Sequence, residues 1–263
     1  MKFEKLATLL AATAASITFG QEVAPAQVQE PAPQLEKAST LYAFSSLDIA
    51  SAYIFDSGTV MNDSLVLQPD FGFGFDAFDT VPLEFDAWAN YATDRYDDMT
   101  ASHCFTEIDL SIGTSHEFDC GCTIGLALAS WQYPNMDTWN GEEVLIGSLS
   151  HEIGLVKIGS DVELMVTGDC DNDYHFLPFT EVSKDFSVSD LDCSASIRGQ
   201  LYYTYEEGNA NHGWSSYNFT ATFAILDVYA YTSYWGQMDD GIYTDEEHNI
   251  ESVVYGIGYG VEI

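Results

Sequence analysis

Basic residues are scarce in this chain. Lys and Arg together number 7 against 42 Asp and Glu, a formal charge of −35 over 263 residues. That balance excludes nucleic acid as a partner, because phosphate binding needs a basic face. The surface attracts cations and repels anions, and it suits salty surroundings in which screening weakens self-repulsion. Long apolar runs are lacking too. After the first residues no stretch approaches the ~18 consecutive apolar residues of a membrane-crossing helix. No segment keeps a 3.6-residue period through several turns, which argues against amphipathic helices. Cysteine is sparse and odd in number. Cys104, Cys120, Cys122, Cys170 and Cys193 leave at least one thiol unpaired even in an oxidising compartment. Cys120-Gly-Cys122 offers too few ligands for zinc, so the cysteines read as structural, with their pairing open.

What the chain does hold comes in blocks. MKFEKLATLLAATAASITFG, residues 1–20, reads as a cleaved signal peptide. Lys2 and Lys5 make the charged start, residues 6–17 a short apolar stretch rich in Ala and Thr, and small residues allow cleavage after Gly20. Residues 21–39, QEVAPAQVQEPAPQLEKAS, are rich in Pro, Ala and Gln and cannot bury enough apolar surface to order themselves. They read as a flexible leader. From Thr40 onward there is no second linker and no composition break, so 40–263 is expected to form one domain.

That domain reads as β throughout, with 16 Tyr and 16 Phe and recurring alternation. Strand-like segments fall at 44–56, 64–76, 82–92, 105–117, 122–132, 142–155, 160–168, 174–185, 191–205, 214–226, 228–237 and 250–263, about twelve in all. Lengths of about ten residues suit a tilted membrane-crossing strand better than a sandwich strand of about five or six. Leu47, Ile49, Tyr53 and Phe55 oppose Ser46, Asp48, Ala50 and Asp56. Leu83, Phe85 and Ala87 oppose Glu84, Asp86 and Asn90, and Ile108, Leu110 and Ile112 oppose Glu107, Asp109 and Ser111. Val162, Leu164 and Val166 oppose Asp161, Glu163 and Thr167, while Tyr217, Phe219, Phe223 and Ile225 oppose Ser216, Asn218, Thr220 and Thr222. Two segments fit less well. His151 sits among apolar neighbours, and 228–237 is apolar on both faces.

The connections alternate in length. DSGTVMND, TDRYDDMTASH, YPNMDTWNG, GDCDND, EEGNANHG and MDDGIYTDEEH are long and acidic, whereas DAFDTV, DCG, VKIG, SVSD and ILD are short. Long loops on one end and short turns on the other belong to outer-membrane barrels, and a sandwich has no reason to sort them so. The last segment, with Val253, Tyr255, Ile257, Tyr259, Val261 and Ile263 in alternation, reads as the strand that closes the sheet. The expected fold is therefore an all-β, antiparallel transmembrane β-barrel of about twelve strands behind a cleaved signal peptide. In DFGFGFD, residues 70–76, Phe71, Phe73 and Phe75 then face lipid, and Asp70 and Asp76 the watery interior or its rim. A charge at Phe73 or Leu110 should impair assembly, and a charge at Gly74 or Ser111 should be tolerated.

SAYIFDSGTVMNDSLVLQPDF, residues 51–71, resembles the N-terminal signature of the TorF-type porin family of bacterial outer-membrane proteins. Ser51, Ala52, Tyr53, Phe55, Asn62, Asp63, Val66, Gln68 and Pro69 match. LALASWQYPN and VYAYTSYWGQMDDG are similar to later strands of that family, so the likeness spans roughly 40–263. Asp56 departs from it, standing where the family usually carries Arg. The resemblance implies a barrel that conducts small solutes, with an interior still more acidic than the family pattern.

No catalytic constellation stands out. Ser150 and His151 are adjacent on a strand and point to opposite faces, so they do not pair as nucleophile and base, and no enzyme and no cofactor is expected. Asp169, Asp171 and Asp173 share the two-residue spacing of a calcium loop, but Tyr174 and Thr180 occupy the positions that need Gly and Glu. Loose divalent binding and a solvated acidic loop both remain open there. The strongest functional candidates are the inward acids Asp48, Asp56, Glu84, Asp86, Glu107, Asp109, Asp161 and Glu163, which would concentrate cations along a water path. Arg198, with Ser194, Ser196 and Gln200 on its face, reads as the only basic inward side chain.

Three functions follow. The first is an outer-membrane porin passing small polar or cationic solutes by passive diffusion. The second is a non-conducting outer-membrane barrel whose acidic external loops bind cations or surface partners. The third is a secreted soluble β protein. For the barrel readings the partners are outer-membrane lipid, small solutes or cations, and divalent cations at the acidic loops.

Overall fold

The computed structural model describes residues 41–54, 60–77, 81–95, 100–136, 141–168, 173–189, 191–206, 211–238 and 251–262. The signal and leader segments lie outside the described residues. Alternating aromatic and polar residues put the chain into strands: β1 (Tyr42–Ala50), β2 (Tyr53–Ile54), β3 (Val60–Asn62), β4 (Val66–Ala77), β5 (Val81–Ala92), β6 (Cys104–Glu117) and β7 (Cys122–Gln132). The second half continues with β8 (Glu142–Ile153), β9 (Val156–Met165), β10 (Tyr174–Val188), β11 (Leu191–Glu206), β12 (Asn211–Ile225), β13 (Val228–Gln237) and β14 (Glu251–Glu262). All but β2 and β3 form one closed barrel in chain order, each strand antiparallel to its neighbours. β14 pairs with β1, Leu47 opposite Tyr259 and Ile49 opposite Ile257, so the sheet keeps no free edge. The expectation of about twelve barrel strands is met.

Long and short connections sort to opposite ends as expected, but VKIG, read from sequence as a turn, is the start of β9, and the turn before it is Gly154-Leu155. Tight turns such as Gly154-Leu155 and Leu226-Asp227 share one end with Tyr42 and Glu262, and the longer connections share the other. Gly154 (φ 66°) and Leu226 (φ 53°) supply the left-handed conformation that two-residue hairpins demand.

Outside, the barrel is apolar. Phe71, Phe73, Leu110, Ile197, Phe219, Tyr255 and Ile257 are all exposed, Ile197 at 62 % and Leu110 at 53 %. A continuous belt of this kind is stable only against lipid, and it marks the transmembrane surface. The opposite faces of the same strands, Asp48, Gln68, Asp86, Asn90, Asn218 and Thr220, are buried within the barrel.

Glycine on the inner face of β4 and β14 has a steric reason. Opposite Gly72 and Gly74 lie Phe44 and Tyr42, whose rings cross the strand and occupy the space a Cβ would need. Tyr231 and Tyr229 cover Gly256 and Gly258 in the same way. Each glycine thus lets a neighbouring strand's ring lie flat against the wall. A charge at Gly74, expected from sequence to be tolerated, would collide with Tyr42.

One strand departs from the expectation. Residues 44–56 do not continue as a single lipid-facing strand, because β1 ends at Ala50. Tyr53 is only 2 % exposed and lies inside the barrel instead of facing lipid. The aromatic ring and its hydroxyl find both an indole and a carboxylate there, which lipid cannot supply. Phe55 and Asp56 lie outside the described residues. The apolar character of both faces of 228–237 also has an explanation, since Tyr229, Tyr231 and Trp235 are aromatics buried on the inner side.

Candidate functional site: the inner wall of the barrel

Cross-strand register turns the inward residues into rows. One row runs Ser46, Asp70, Trp88, Asp109, Trp131, Glu142 across β1 and β4 to β8, so that acid and indole alternate from strand to strand. Around it lie Asp48, Glu84, Asp86 and Glu107, all inward. The Asp70 and Asp86 carboxyls are in hydrogen-bonding contact, and Glu84 lies within electrostatic reach of Asp70. The Tyr42 hydroxyl donates to Glu84 at 2.6 Å. Strands β1, β4, β5 and β6 carry neither Lys nor Arg. Nothing basic on this wall offsets its carboxylates.

Across the barrel a second row reads Glu152, Lys157, Glu181, Arg198, Thr220 on β8 to β12. Here the sign alternates at each strand. Asp161 lies within reach of both Arg198 and Lys157, and the Arg198 guanidinium sits 4.1 Å from the centre of the Phe179 ring. His175 Nδ1 lies 3.4 Å from Glu163. The expectation that Arg198 is the only basic inward side chain is therefore corrected, since Lys157 and His175 share its face. The signal was present in the sequence, because Lys157, Asp161 and Glu163 keep one parity along β9. Asp70 and Glu181 also belong on the inner wall by the same parity.

β12 and β13 continue the circuit with uncharged groups, and β14 adds one acid at its end, Glu262, within electrostatic reach of Tyr42 and Glu84. Thr220 and Ser233 hydroxyls pair at 2.8 Å, and Asn218 donates to the Tyr202 hydroxyl at 2.9 Å.

The mouth at the long-connection end is occupied by the chain itself. β2 and β3 form a small antiparallel hairpin, Tyr53 opposite Asn62 and Ile54 opposite Val60, folded into the barrel. Tyr53 donates its hydroxyl to Glu107, and its ring lies 5.6 Å from that of Trp88. Asn90 donates to Asn62 at 2.8 Å and to Thr106 at 2.7 Å, and Gln68 donates to Asn90 at 3.2 Å. Tyr53, Ile54 and Met61 join one buried cluster with Trp88, Trp131, Val144, Met165, Leu177, Tyr202 and Trp235, inward residues drawn from β5 to β13. Of the residues carrying the first half of the TorF-type resemblance, Tyr53 and Asn62 thus belong to this inserted segment and not to a barrel strand, and Phe55 lies outside the described residues.

Of the residues singled out from sequence, Asp48, Glu84, Asp86, Glu107, Asp109, Asp161, Glu163 and Arg198 stand on the inner wall, and Asp56 lies outside the described residues. Asp169 and Asp171 also lie outside them. Asp173 is described just before β10, and among the described residues no group of His, Cys, Asp and Glu is arranged to hold a metal ion. Ser150 is buried on the inner face while His151 points outward, 3.3 Å from the Cys122 sulfur.

No protein-family model matches the chain. No curated protein matches it in sequence either. Among solved structures it is similar to an outer membrane channel from Pseudomonas putida F1, at 10 % identity and a TM-score of 0.47 over 92 % of this chain and 100 % of that one. It is also similar to Salmonella typhi OmpF in complex with daunomycin, at 10 % identity and a TM-score of 0.36 over 85 % and 97 % of the two chains. Neither likeness assigns a function.

Proposed function

We propose that this protein is an outer-membrane barrel of the porin type, passing small cationic or polar solutes by diffusion through an acid-lined interior. The observation that supports it most is the wall formed by β1, β4, β5 and β6, where Asp48, Asp70, Glu84, Asp86, Glu107 and Asp109 face inward with no Lys or Arg on the same strands. Carboxylates along a narrow aqueous passage concentrate cations and exclude anions. A barrel of this strand number is wider than an eight-stranded one, whose side chains fill its interior, and narrower than the large porins. The TorF-type resemblance implies the same activity. To this reading the acidic connections add loose divalent-cation binding, with Asp169, Asp171 and Asp173 as candidate ligands.

A second reading, a non-conducting barrel, draws on the inserted hairpin and on the near-complete burial of Glu107 and Asn90. Planar-bilayer recording of the refolded chain separates the two. Unitary conductance with a reversal potential toward the cation side in a KCl gradient is the expected result. A silent bilayer favours the second reading, and anion preference overturns the acid-lined path. Recovery of the mature chain from the soluble periplasm would overturn the location.

A further inference from the structure

We infer that the β2–β3 hairpin is a displaceable plug seated in the mouth of the barrel and held there by two separate polar latches. Its hold is unlike that of a wall. The barrel's own hydrogen bonds run unbroken from β1 to β14 and from β1 to β4 without using the hairpin, so its release leaves the sheet intact. Among the described residues β2 and β3 form strand pairs with one another alone, through two residue pairs, and a ribbon that short is marginal in water. What orders it is the inner wall.

The first latch is Tyr53, whose hydroxyl donates to Glu107 while its ring packs on Trp88. The second is Asn62, which accepts from Asn90 inside a cluster completed by Thr106 and Gln68. Both land on β5 and β6, on the acidic wall. The apolar side, Ile54 and Met61, fills the space between that wall and the aromatics of β11 and β13. Tyr53 therefore covers Glu107 and Trp88, two members of the wall that a cation in the passage would meet. Release uncovers them, and the seated state hides them.

The closing experiment reads release separately from conduction, because only the conduction arm rests on the porin reading. In a chain with Cys104, Cys120, Cys122, Cys170 and Cys193 each replaced by Ser, Ile54→Cys is labelled with a bulky impermeant maleimide in detergent. The latches are then loosened by Tyr53→Phe, or by Asn90→Ala together with Thr106→Val. Labelling that is slow in the parent and about tenfold faster in each latch variant is the expected result, the size that loss of one or two buried hydrogen bonds sets. Conductance should rise in the same variants. Tyr53→Phe deletes one oxygen and keeps the ring, and a heat-shifted gel mobility shows that the barrel has formed. Faster labelling with no rise in conductance keeps the plug and overturns the porin reading. Labelling unchanged in both variants, or already fast in the parent, overturns the plug.

Discussion

The two charged walls of the barrel both carry inward acids and differ in what stands beside them. On β1 and β4 to β6 the partners of the acids across the sheet are uncharged indoles, glycines, serines and amides, as in the Asp70, Trp88, Asp109, Trp131 row. On β8 to β11 basic groups stand among the acids, directly opposite them in the Glu152, Lys157, Glu181, Arg198 row and within reach of Asp161. Opposite charges on neighbouring strands attract and neutralise one another locally, whereas stacked acids add their fields. One wall is an electrostatic feature of the interior. The other is closer to structural filler. A cation path would therefore follow the first wall, and the molecule's large negative charge matters less than its distribution around the barrel.

Both walls share one lipid-facing exterior, and the largest expected effect is a charge placed on it. Leu110→Lys behind the acidic wall and Ile197→Lys behind the balanced wall should each cost about 2–4 kcal/mol, the range for Lys at mid-bilayer. Urea unfolding in lipid vesicles measures it. A cost confined to one of the two would mean that the other strand is shielded from lipid.

Next comes the acidic wall itself. Neutralising Glu84, Asp86, Glu107 and Asp109 together, to Gln or Asn, should cut cation preference several-fold, given about 4 kcal/mol for opposite unit charges at 4 Å and an effective dielectric of 20. The matching change on the balanced wall, Glu152→Gln with Glu181→Gln, should move the reversal potential far less. Equal shifts from the two sets would erase the distinction.

The smallest effect belongs to Arg198→Met. Loss of the guanidinium beside Asp161 and over Phe179 should lower stability by about 2 kcal/mol, between the values for exposed and buried pairs. It should also raise cation preference slightly, by making the second wall resemble the first. A fall in that preference would show that Arg198 does not face the passage.

Much of this was legible in the chain. Period-two alternation assigned Phe71, Leu110 and Phe219 to one face and Asp86, Asp109 and Thr220 to the other, and loop lengths sorted the two ends. Those signals are local, because parity along a strand depends only on the backbone and on one apolar surrounding. Tyr53 was misread for the same reason. It keeps the parity of Leu47 and Ile49, yet the chain leaves β14 after Ser51, whose amide still donates to the Tyr255 carbonyl. No pattern within residues 44–56 records that departure.

The sequence by itself determined that the chain is a lipid-facing β-barrel with an acidic interior, because binary pattern, strand length and charge are properties of consecutive residues. Only the tertiary structure decided which acid stands beside which neighbour. Register across strands paired Asp70 with Trp88 and Glu181 with Arg198, although nothing in the spacing of these residues along the chain marks them as partners. It likewise placed Phe44 over Gly72, making that glycine a seat for a ring. And it turned Tyr53 inward, because its side chain gains a carboxylate and an indole inside the barrel that no neighbour in sequence could offer.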